Sequence, residues 1–287
     1  MNRWVTYIQE RFSLAAYTIL AAGLALSGIF LDGGAIESTP FLVSFAGVLL
    51  FLFQSTLMDE LKDYEKDKIA NPDNPLPRGL LEPEEVAKAI QVLGITMLLY
   101  GVFVAITLQI LSALAYLAVV GMLWVVYREF YAADWLARRP IIRGACRQTV
   151  MIPVALFVTS VTWPHHPLSA ETAPFCLVLM GAFFCYDTCS KLNPYAHPAM
   201  MTYIHFYGFH TTFLVATGSL LVSAIGAVGM GLGFVLGLTE LCVFFSLLVL
   251  FLDRRLYQIP EKIAACSLIV HVWSGVIQKL GIFFILS

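Results

Sequence analysis

The stretch PFLVSFAGVLLFLFQSTLMDELKDYEKD, residues 40–67, joins a long apolar run to a dense cluster of charge. Its apolar part, residues 40–57, has about the length that a helix needs to cross a bilayer. Five acidic residues then fall within nine positions, between Asp59 and Asp67. The turn-rich segment NPDNPLPRG, residues 71–79, ends the helix because proline lacks the backbone donor that a helix interior requires. The stretch therefore predicts a membrane-spanning helix with an acidic end at one membrane face.

The composition of the whole chain indicates the same environment. Of its 287 residues, 59% are hydrophobic and 13% are charged, whereas about a quarter of the residues in a soluble domain carry charge. The apolar runs are continuous and do not alternate with polar residues, which excludes a transmembrane β-barrel. The six cysteines show no CxxC spacing and are predicted to be free thiols. We therefore predict an all-α polytopic membrane protein, forming a single domain over residues 1–287.

Apolar runs suited to membrane spans, which need about 20 residues, recur along the chain. The predicted spans are residues 13–31, 40–58, 84–106, 108–127, 141–163, 174–186, 199–225, 229–252 and 262–286. Lysine and arginine concentrate in alternate connections between these spans, with Lys279 as the exception. Because basic residues favour the cytoplasmic side, this pattern places the N-terminus and the acidic stretch there. The predicted localisation is an integral membrane protein of the bacterial inner membrane.

The spacing of the acids within the stretch predicts a shared helix face. Asp59, Asp63 and Asp67 lie four residues apart, and Glu60 lies three before Asp63. Carboxylates crowded in this way repel one another unless cations hold them. Mg²⁺ is commonly held by one or two carboxylates together with substrate phosphates. The stretch is thus a candidate Mg²⁺-diphosphate site; the alternative is a solvated charge run that ends a helix.

A second polar cluster, YDTCSKLNPY at residues 186–195, closes the sixth predicted span on the same side of the membrane. At these two clusters the chain resembles the UbiA superfamily of intramembrane prenyltransferases, which have nine transmembrane helices around a central cavity. The first family motif, (N/D)DxxDxxxD, is matched by Asp59, Glu60, Asp63 and Asp67. The second motif, DxxxD, is matched by Asp187 alone, and Lys191 stands where its second acid would be.

The resemblance implies roles for these residues. The five matching acids would be the catalytic residues and the ligands of Mg²⁺, which they hold against the diphosphate of an isoprenyl donor. Arg78, in the loop after the first motif, would contact that diphosphate. Lys191 is a second candidate contact, with a positive-inside anchor as the alternative. The other basic residues near the motifs are expected to be surface charges (Lys62, Lys66, Lys68) or mainly membrane anchors (Arg143, Arg147).

Aromatic and histidine residues follow Asp187 closely in the sequence. The candidate substrate-binding residues among them are Tyr195, Tyr203, His205 and Tyr207. Aromatic faces attract cations, so the ring residues could stabilise an allylic carbocation. His205 could take a proton or contact an acceptor, although ordinary packing explains most aromatic side chains among spans. Glu240, in the middle of the eighth predicted span, requires a partner or must be neutral.

Three functions are compatible with these patterns. The departures at Glu60 and Lys191 favour a UbiA-type terpene cyclase, which ionises a C10–C20 isoprenyl diphosphate and closes the cation on itself. A prenyltransferase acting on an aromatic or other lipophilic acceptor is the alternative within the family. A transporter that uses Glu240, His205 and Lys279 is the non-enzymatic alternative. The expected partners are the isoprenyl diphosphate, membrane lipid and, for the prenyltransferase, a lipophilic acceptor; nucleic acid is not an expected partner.

Overall fold

The computed structural model describes residues 3–31, 36–162, 170–200 and 202–281, and these residues contain helices and no strand. The helices are α1 (Arg3–Arg11), α2 (Leu14–Leu31), α3 (Ser38–Ala70), α4 (Pro83–Thr107), α5 (Ile110–Tyr127), α6 (Ala133–Ala137), α7 (Pro140–Gln148), α8 (Met151–Ser160), α9 (Thr172–Cys189), α10 (Tyr203–Gly229), α11 (Gly233–Leu252), α12 (Gln258–Val272) and α13 (Ser274–Lys279). Short 3-10 turns occur at Glu129–Tyr131, Pro198–Met200 and Arg254–Leu256.

Within the described ranges, eight segments are long and apolar enough to cross a membrane. They are α2, α3, α4, α5, the α7–α8 pair, α9, α10 and α11. The ninth predicted span corresponds to α12 and α13, which are separated at Trp273, and its last residues lie outside the described part of the chain. The outer helices expose large apolar side chains such as Ile106, Leu221 and Phe234. The protein is therefore an all-α integral membrane protein, as predicted.

Small residues allow the helices to approach closely. A Cβ atom added to Gly181 in α9 would lie 2.5 Å from the backbone nitrogen of Ser223 in α10. A Cβ atom on Gly28 in α2 would lie 2.2 Å from the carbonyl oxygen of Val158 in α8. Glycine and serine at such crossings are typical of helix packing in membranes, where van der Waals contact drives association. The crossing of α9 and α10 fixes the end of α9 beside the start of α10.

Helix α3 is longer than the membrane requires. Its 33 residues extend over about 50 Å at 1.5 Å per residue, whereas the hydrocarbon core of a bilayer is about 30 Å thick. Its C-terminal part therefore projects beyond the core and carries the acidic stretch. The amphipathic α1 packs against this end through an ion pair between Arg11 and Glu60. We call this end of the bundle the acidic end.

Candidate active site

A cavity of about 460 Å³ opens at the acidic end. It lies between the C-terminal part of α3, the segment that links α5 to α7, α7 itself and the first turn of α10. Its charged lining consists of the acids Asp59, Asp63, Glu129 and Asp134 and the bases Lys62, Lys66, Arg143, Arg147 and Lys191. The cavity therefore combines carboxylates with a slight excess of cationic groups.

Helix α3 contributes two acids and two lysines to the cavity wall. Residues 59, 62, 63 and 66 follow the i, i+3, i+4, i+7 pattern of one helix face. Each residue advances by about 100° around a helix, which turns Glu60 and Asp67 toward the edge of that face. Lys62 and Lys66 were expected to be surface charges, and this expectation is wrong because they share the face of Asp59 and Asp63.

Glu60 and Asp67, the other two motif acids, have partners outside the cavity. Glu60 is buried and accepts a hydrogen bond from the guanidinium of Arg11 in α1. Asp67 is buried and accepts hydrogen bonds from the side-chain amides of Asn71, at 2.8 Å, and Asn74, at 3.3 Å. The predicted four-carboxylate face is thus divided. Two of the acids line the cavity; of the other two, Glu60 bonds α3 to α1 and Asp67 bonds α3 to the following loop.

Asp187, at the end of α9, lies beside the same cavity without being part of its lining. Lys191 donates to both of its oxygens, at 2.8 and 2.9 Å, and the Tyr203 hydroxyl donates to Oδ2 at 3.0 Å. Lys191 and Tyr203 themselves line the cavity. Arg147 forms an ion pair with Asp59 and interacts electrostatically with Asp187. The two polar clusters, 128 positions apart from Asp59 to Asp187 in the sequence, therefore meet at one site.

A glycine makes this meeting sterically possible. A Cβ atom on Gly144 in α7 would lie 2.1 Å from the hydroxyl oxygen of Tyr203 and 3.0 Å from the ring of Phe184. Any larger residue at position 144 would displace the hydroxyl that donates to Asp187. Gly144 is therefore a part of the site that the motif comparison did not identify.

The segment between α5 and α7 closes one side of the cavity. Glu129 forms ion pairs with both Lys62 and Arg143. Glu129, Phe130 and Tyr131 have φ angles of 51°, 55° and 56°, a left-handed conformation that is unfavourable by about 1–2 kcal/mol per residue. Arg143 and Arg147 were expected mainly to be anchors, but both line the cavity, where Arg143 pairs with Glu129 and Arg147 pairs with Asp59.

Several residues predicted to bind substrate lie elsewhere. Arg78 makes two 2.8 Å hydrogen bonds to the carboxylate of Glu10 in α1. Tyr195 is exposed, with its ring 6.4 Å from that of Tyr257. His205 is exposed and its Nδ1 lies 2.9 Å from the hydroxyl of Thr202.

The geometry of α10 explains this arrangement. Tyr203 and Phe206, three residues apart, line the cavity, whereas His205, two positions after Tyr203, lies on a different face of the helix. Tyr207 is not part of the lining. Tyr207 packs its ring beside that of Phe206, with centroids 6.0 Å apart. Of the predicted aromatic and histidine contacts, Tyr203 alone is part of the cavity lining in the described residues.

The partner of Glu240 lies in α12. His271 Nε2 is 3.2 Å from a carboxylate oxygen of Glu240, and both side chains are buried. His271 Nδ1 donates to the carbonyl oxygen of Ser267, at 2.6 Å. This pair belongs to the packing of α11 against α12 and does not line the cavity.

The six cysteines are free thiols, as predicted.

Asp59 and Asp63 are suitable Mg²⁺ ligands. They lie one helical turn apart on one cavity wall, and Asp63 has only a 3.4 Å contact with Lys66. Within the described ranges, no group of three or more histidines, cysteines or acids is placed to hold a metal by itself. This donor set fits Mg²⁺, which combines one or two carboxylates with substrate phosphates and water.

Comparisons with known proteins give a family and a fold. The model of the UbiA prenyltransferase family matches residues 16–274. A search of curated proteins found no match. Among solved structures, one described as "Structural and mechanistic insights into the biosynthesis of Digeranylgeranylglyceryl phosphate synthase in membranes" has 14% sequence identity and a TM-score of 0.62, over 96% of this chain and 100% of that chain. At this identity the similarity shows a shared fold.

Proposed function

Since the chain belongs to the UbiA prenyltransferase family, we propose that it transfers the isoprenyl chain of an allylic diphosphate to a lipophilic acceptor in the membrane. The observation that carries the proposal is the meeting of Asp59 and Asp63 with Arg147, Lys191 and the Asp187 cluster at one cavity. Carboxylates that can hold a metal ion, together with cations that can contact phosphate oxygens, are the groups that a metal-bound diphosphate requires. The distribution of basic residues along the chain supports a cytoplasmic position for this cavity.

In the proposed reaction, the bond between the allylic carbon and the diphosphate oxygen breaks, and the diphosphate leaves with the bonding electrons. Mg²⁺, held by Asp59 and Asp63, would supply Lewis-acid stabilisation of that leaving group. Arg147, Arg143 and Lys62 provide fixed positive charge for its oxygens. The acceptor then attacks the allylic carbon and loses a proton.

The apolar part of the lining would hold the chain next to the reacting carbon. Phe130, Phe206 and Tyr203 line the cavity, and aromatic ring faces can stabilise a cation. The side chain of Phe206 is 39% exposed, so it borders the opening of the cavity as well as its interior. These side chains are the proposed contacts for the first isoprene unit.

The family description supports transfer to an acceptor over cyclisation, which the motif departures had favoured. The structural neighbour is named as a synthase of a lipid with two isoprenoid chains, which makes a phosphorylated glycerol lipid one acceptor worth testing. No observation in the described residues favours a cyclase pocket specifically. The transporter alternative named Glu240, His205 and Lys279; of these, Glu240 pairs with His271 away from the cavity.

The test uses purified protein in lipid nanodiscs with Mg²⁺ and geranyl, farnesyl or geranylgeranyl diphosphate. Each donor is assayed alone and with an aromatic acid, a quinone precursor or a glycerol-phosphate lipid. We expect diphosphate release and a prenylated product only when an acceptor is present. A cyclic hydrocarbon or alcohol formed from the donor alone would overturn the proposal in favour of cyclisation, and no turnover of any donor would overturn both.

A further inference from the structure

The two carboxylate clusters at the acidic end differ in how far basic side chains already neutralise them. On α3, Asp59 and Asp63 lie one turn apart in the cavity wall; Asp59 accepts from Arg147 through one carboxylate oxygen only, and Asp63 has a single 3.4 Å contact with Lys66. At the end of α9 there is one acid, Asp187, and the residue one turn later is Lys191. The ammonium group of Lys191 contacts both oxygens of Asp187, at 2.8 and 2.9 Å. A cation is therefore already bound at this side of the cavity, as part of the chain.

The ammonium group of Lys191 is held in place from two directions. Asp187 binds it as an anion, and the ring of Tyr203 lies beneath it with the centroid 4.9 Å from Nζ. The Tyr203 hydroxyl also donates to Asp187 Oδ2 at 3.0 Å, which orients the carboxylate. With Lys191 and Tyr203 as donors, three of the roughly four acceptor positions of the Asp187 carboxylate are used. Little capacity remains at Asp187 for a divalent ion.

Lys191 is also placed to contact a ligand. Its side chain is 36% exposed and lines the cavity that Asp59, Asp63 and Arg147 share. An ammonium group has three donors, of which two are directed to Asp187. Lysine binds phosphate as a point charge, without the paired geometry of arginine. The third donor and the charge are available to a diphosphate oxygen on the Asp187 side.

From this geometry we infer that Lys191 takes the place of a second divalent cation: the protein binds diphosphate with one metal ion, at Asp59 and Asp63, and one built-in ammonium group, at Asp187. The inference rests on the proposed function and makes it more specific. The metal ion would contact the diphosphate from the α3 wall of the cavity, and Lys191 would contact it from beside Asp187. Replacement of Lys191 by an acid would place a second carboxylate beside Asp187 and create a second metal site.

The test counts metal ions directly, without turnover. Mn²⁺ binding is measured by electron paramagnetic resonance on the full chain in nanodiscs, with and without geranyl thiolodiphosphate. In this analogue a carbon–sulfur bond replaces the carbon–oxygen bond that breaks in the reaction, so it binds without turnover. We expect one analogue-dependent Mn²⁺ per chain for the wild type and for Lys191→Arg, and two for Lys191→Asp. Two ions in the wild type would overturn the inference but leave the proposed function intact. One ion in Lys191→Asp would also overturn it.

A second variant keeps the test decisive if Lys191→Asp does not fold. In Lys191→Met the built-in charge is lost, and we expect the analogue to bind roughly tenfold more weakly, still with one Mn²⁺, because a charge-assisted contact is removed. Unchanged affinity in this variant would contradict the inference. Failure of every variant and the wild type to bind Mn²⁺ with the analogue would contradict both the inference and the proposed function.

Discussion

Arg147 in α7 forms an ion pair with Asp59 in α3, 88 residues earlier in the chain. The same guanidinium interacts electrostatically with Asp187 at the end of α9. It is thus the residue through which the two polar clusters are joined across the cavity. The planar guanidinium of Arg147 can donate to a diphosphate as well as to a carboxylate. A bound diphosphate would therefore replace Asp59 as its partner or share the guanidinium with Asp59.

The first prediction concerns this residue. Arg147→Ala should lower kcat/KM for the isoprenyl diphosphate by roughly a hundredfold, because a fixed positive charge facing the leaving group is lost. Steady-state kinetics in nanodiscs measures the change. Arg139→Ala is the matched control, since Arg139 immediately precedes the same helix, lies against Trp135 and is not part of the cavity lining. An equal loss in both variants would show that the effect is not specific to the cavity.

The second prediction separates the acids of the first motif. Asp63→Asn should reduce turnover by roughly a hundredfold or more, because one of the two carboxylates proposed to hold Mg²⁺ is lost. Glu60→Gln should retain most of the turnover and instead lower the free energy of unfolding by about 1–3 kcal/mol, because the charge-assisted bond with Arg11 is weakened. Activity is measured alongside thermal stability in detergent. Loss of activity in Glu60→Gln as large as in Asp63→Asn would make Glu60 a metal ligand and refute the division of the motif.

The third prediction concerns Gly144. Gly144→Ala should move the Tyr203 hydroxyl away from Asp187, because the new Cβ atom would lie 2.1 Å from that oxygen. We expect weaker binding of a diphosphate analogue by roughly tenfold, in line with the loss of a hydrogen bond to a charged group. Gly121→Ala is the control, since Gly121 lies in α5 with no neighbouring atom within 4 Å of an added Cβ. Calorimetric titration would reveal the difference, and equal affinities in the two variants would contradict it.

The fourth prediction is a gain in affinity for the diphosphate analogue. Glu129→Gln should bind the analogue several-fold more tightly, because Lys62 and Arg143 would no longer be paired with a carboxylate. The same change should lower thermal stability, since these ion pairs hold three consecutive left-handed residues in place. Binding and melting temperature are measured on the same preparation. Weaker binding in Glu129→Gln would mean that Glu129 assists the substrate and does not compete with it.

The membrane fold could be predicted from the sequence because its signal is local. A continuous apolar run of sufficient length must form a helix in a bilayer, since no other structure satisfies the backbone of a single segment. This reasoning identified the helices that carry Asp59 and Asp187. It was weakest at residues 262–286, where the apolar run is divided at Trp273.

The site was less predictable because helix periodicity alone allows two faces for α3. Asp59 and Asp63 can be grouped with Lys62 and Lys66, or Asp63 can be grouped with Glu60 and Asp67. The choice depends on the neighbours: Arg11 of α1 pairs with Glu60, and Arg147 of α7 pairs with Asp59. These contacts join residues 49 and 88 positions apart. Arg78 was expected to contact the diphosphate because the sequence does not reveal its partner. That partner, Glu10, lies 68 positions away in the chain.

The most direct test of the central claim is the position of a metal ion in the complex. The protein is crystallised with Mn²⁺ and geranyl thiolodiphosphate, and the anomalous signal of manganese locates the ion independently of the protein map. The account predicts a manganese peak at the carboxylates of Asp59 and Asp63, with the diphosphate between them and Arg147. A peak at Glu60 and Asp67, or a diphosphate bound at Arg78 outside the cavity, would contradict it.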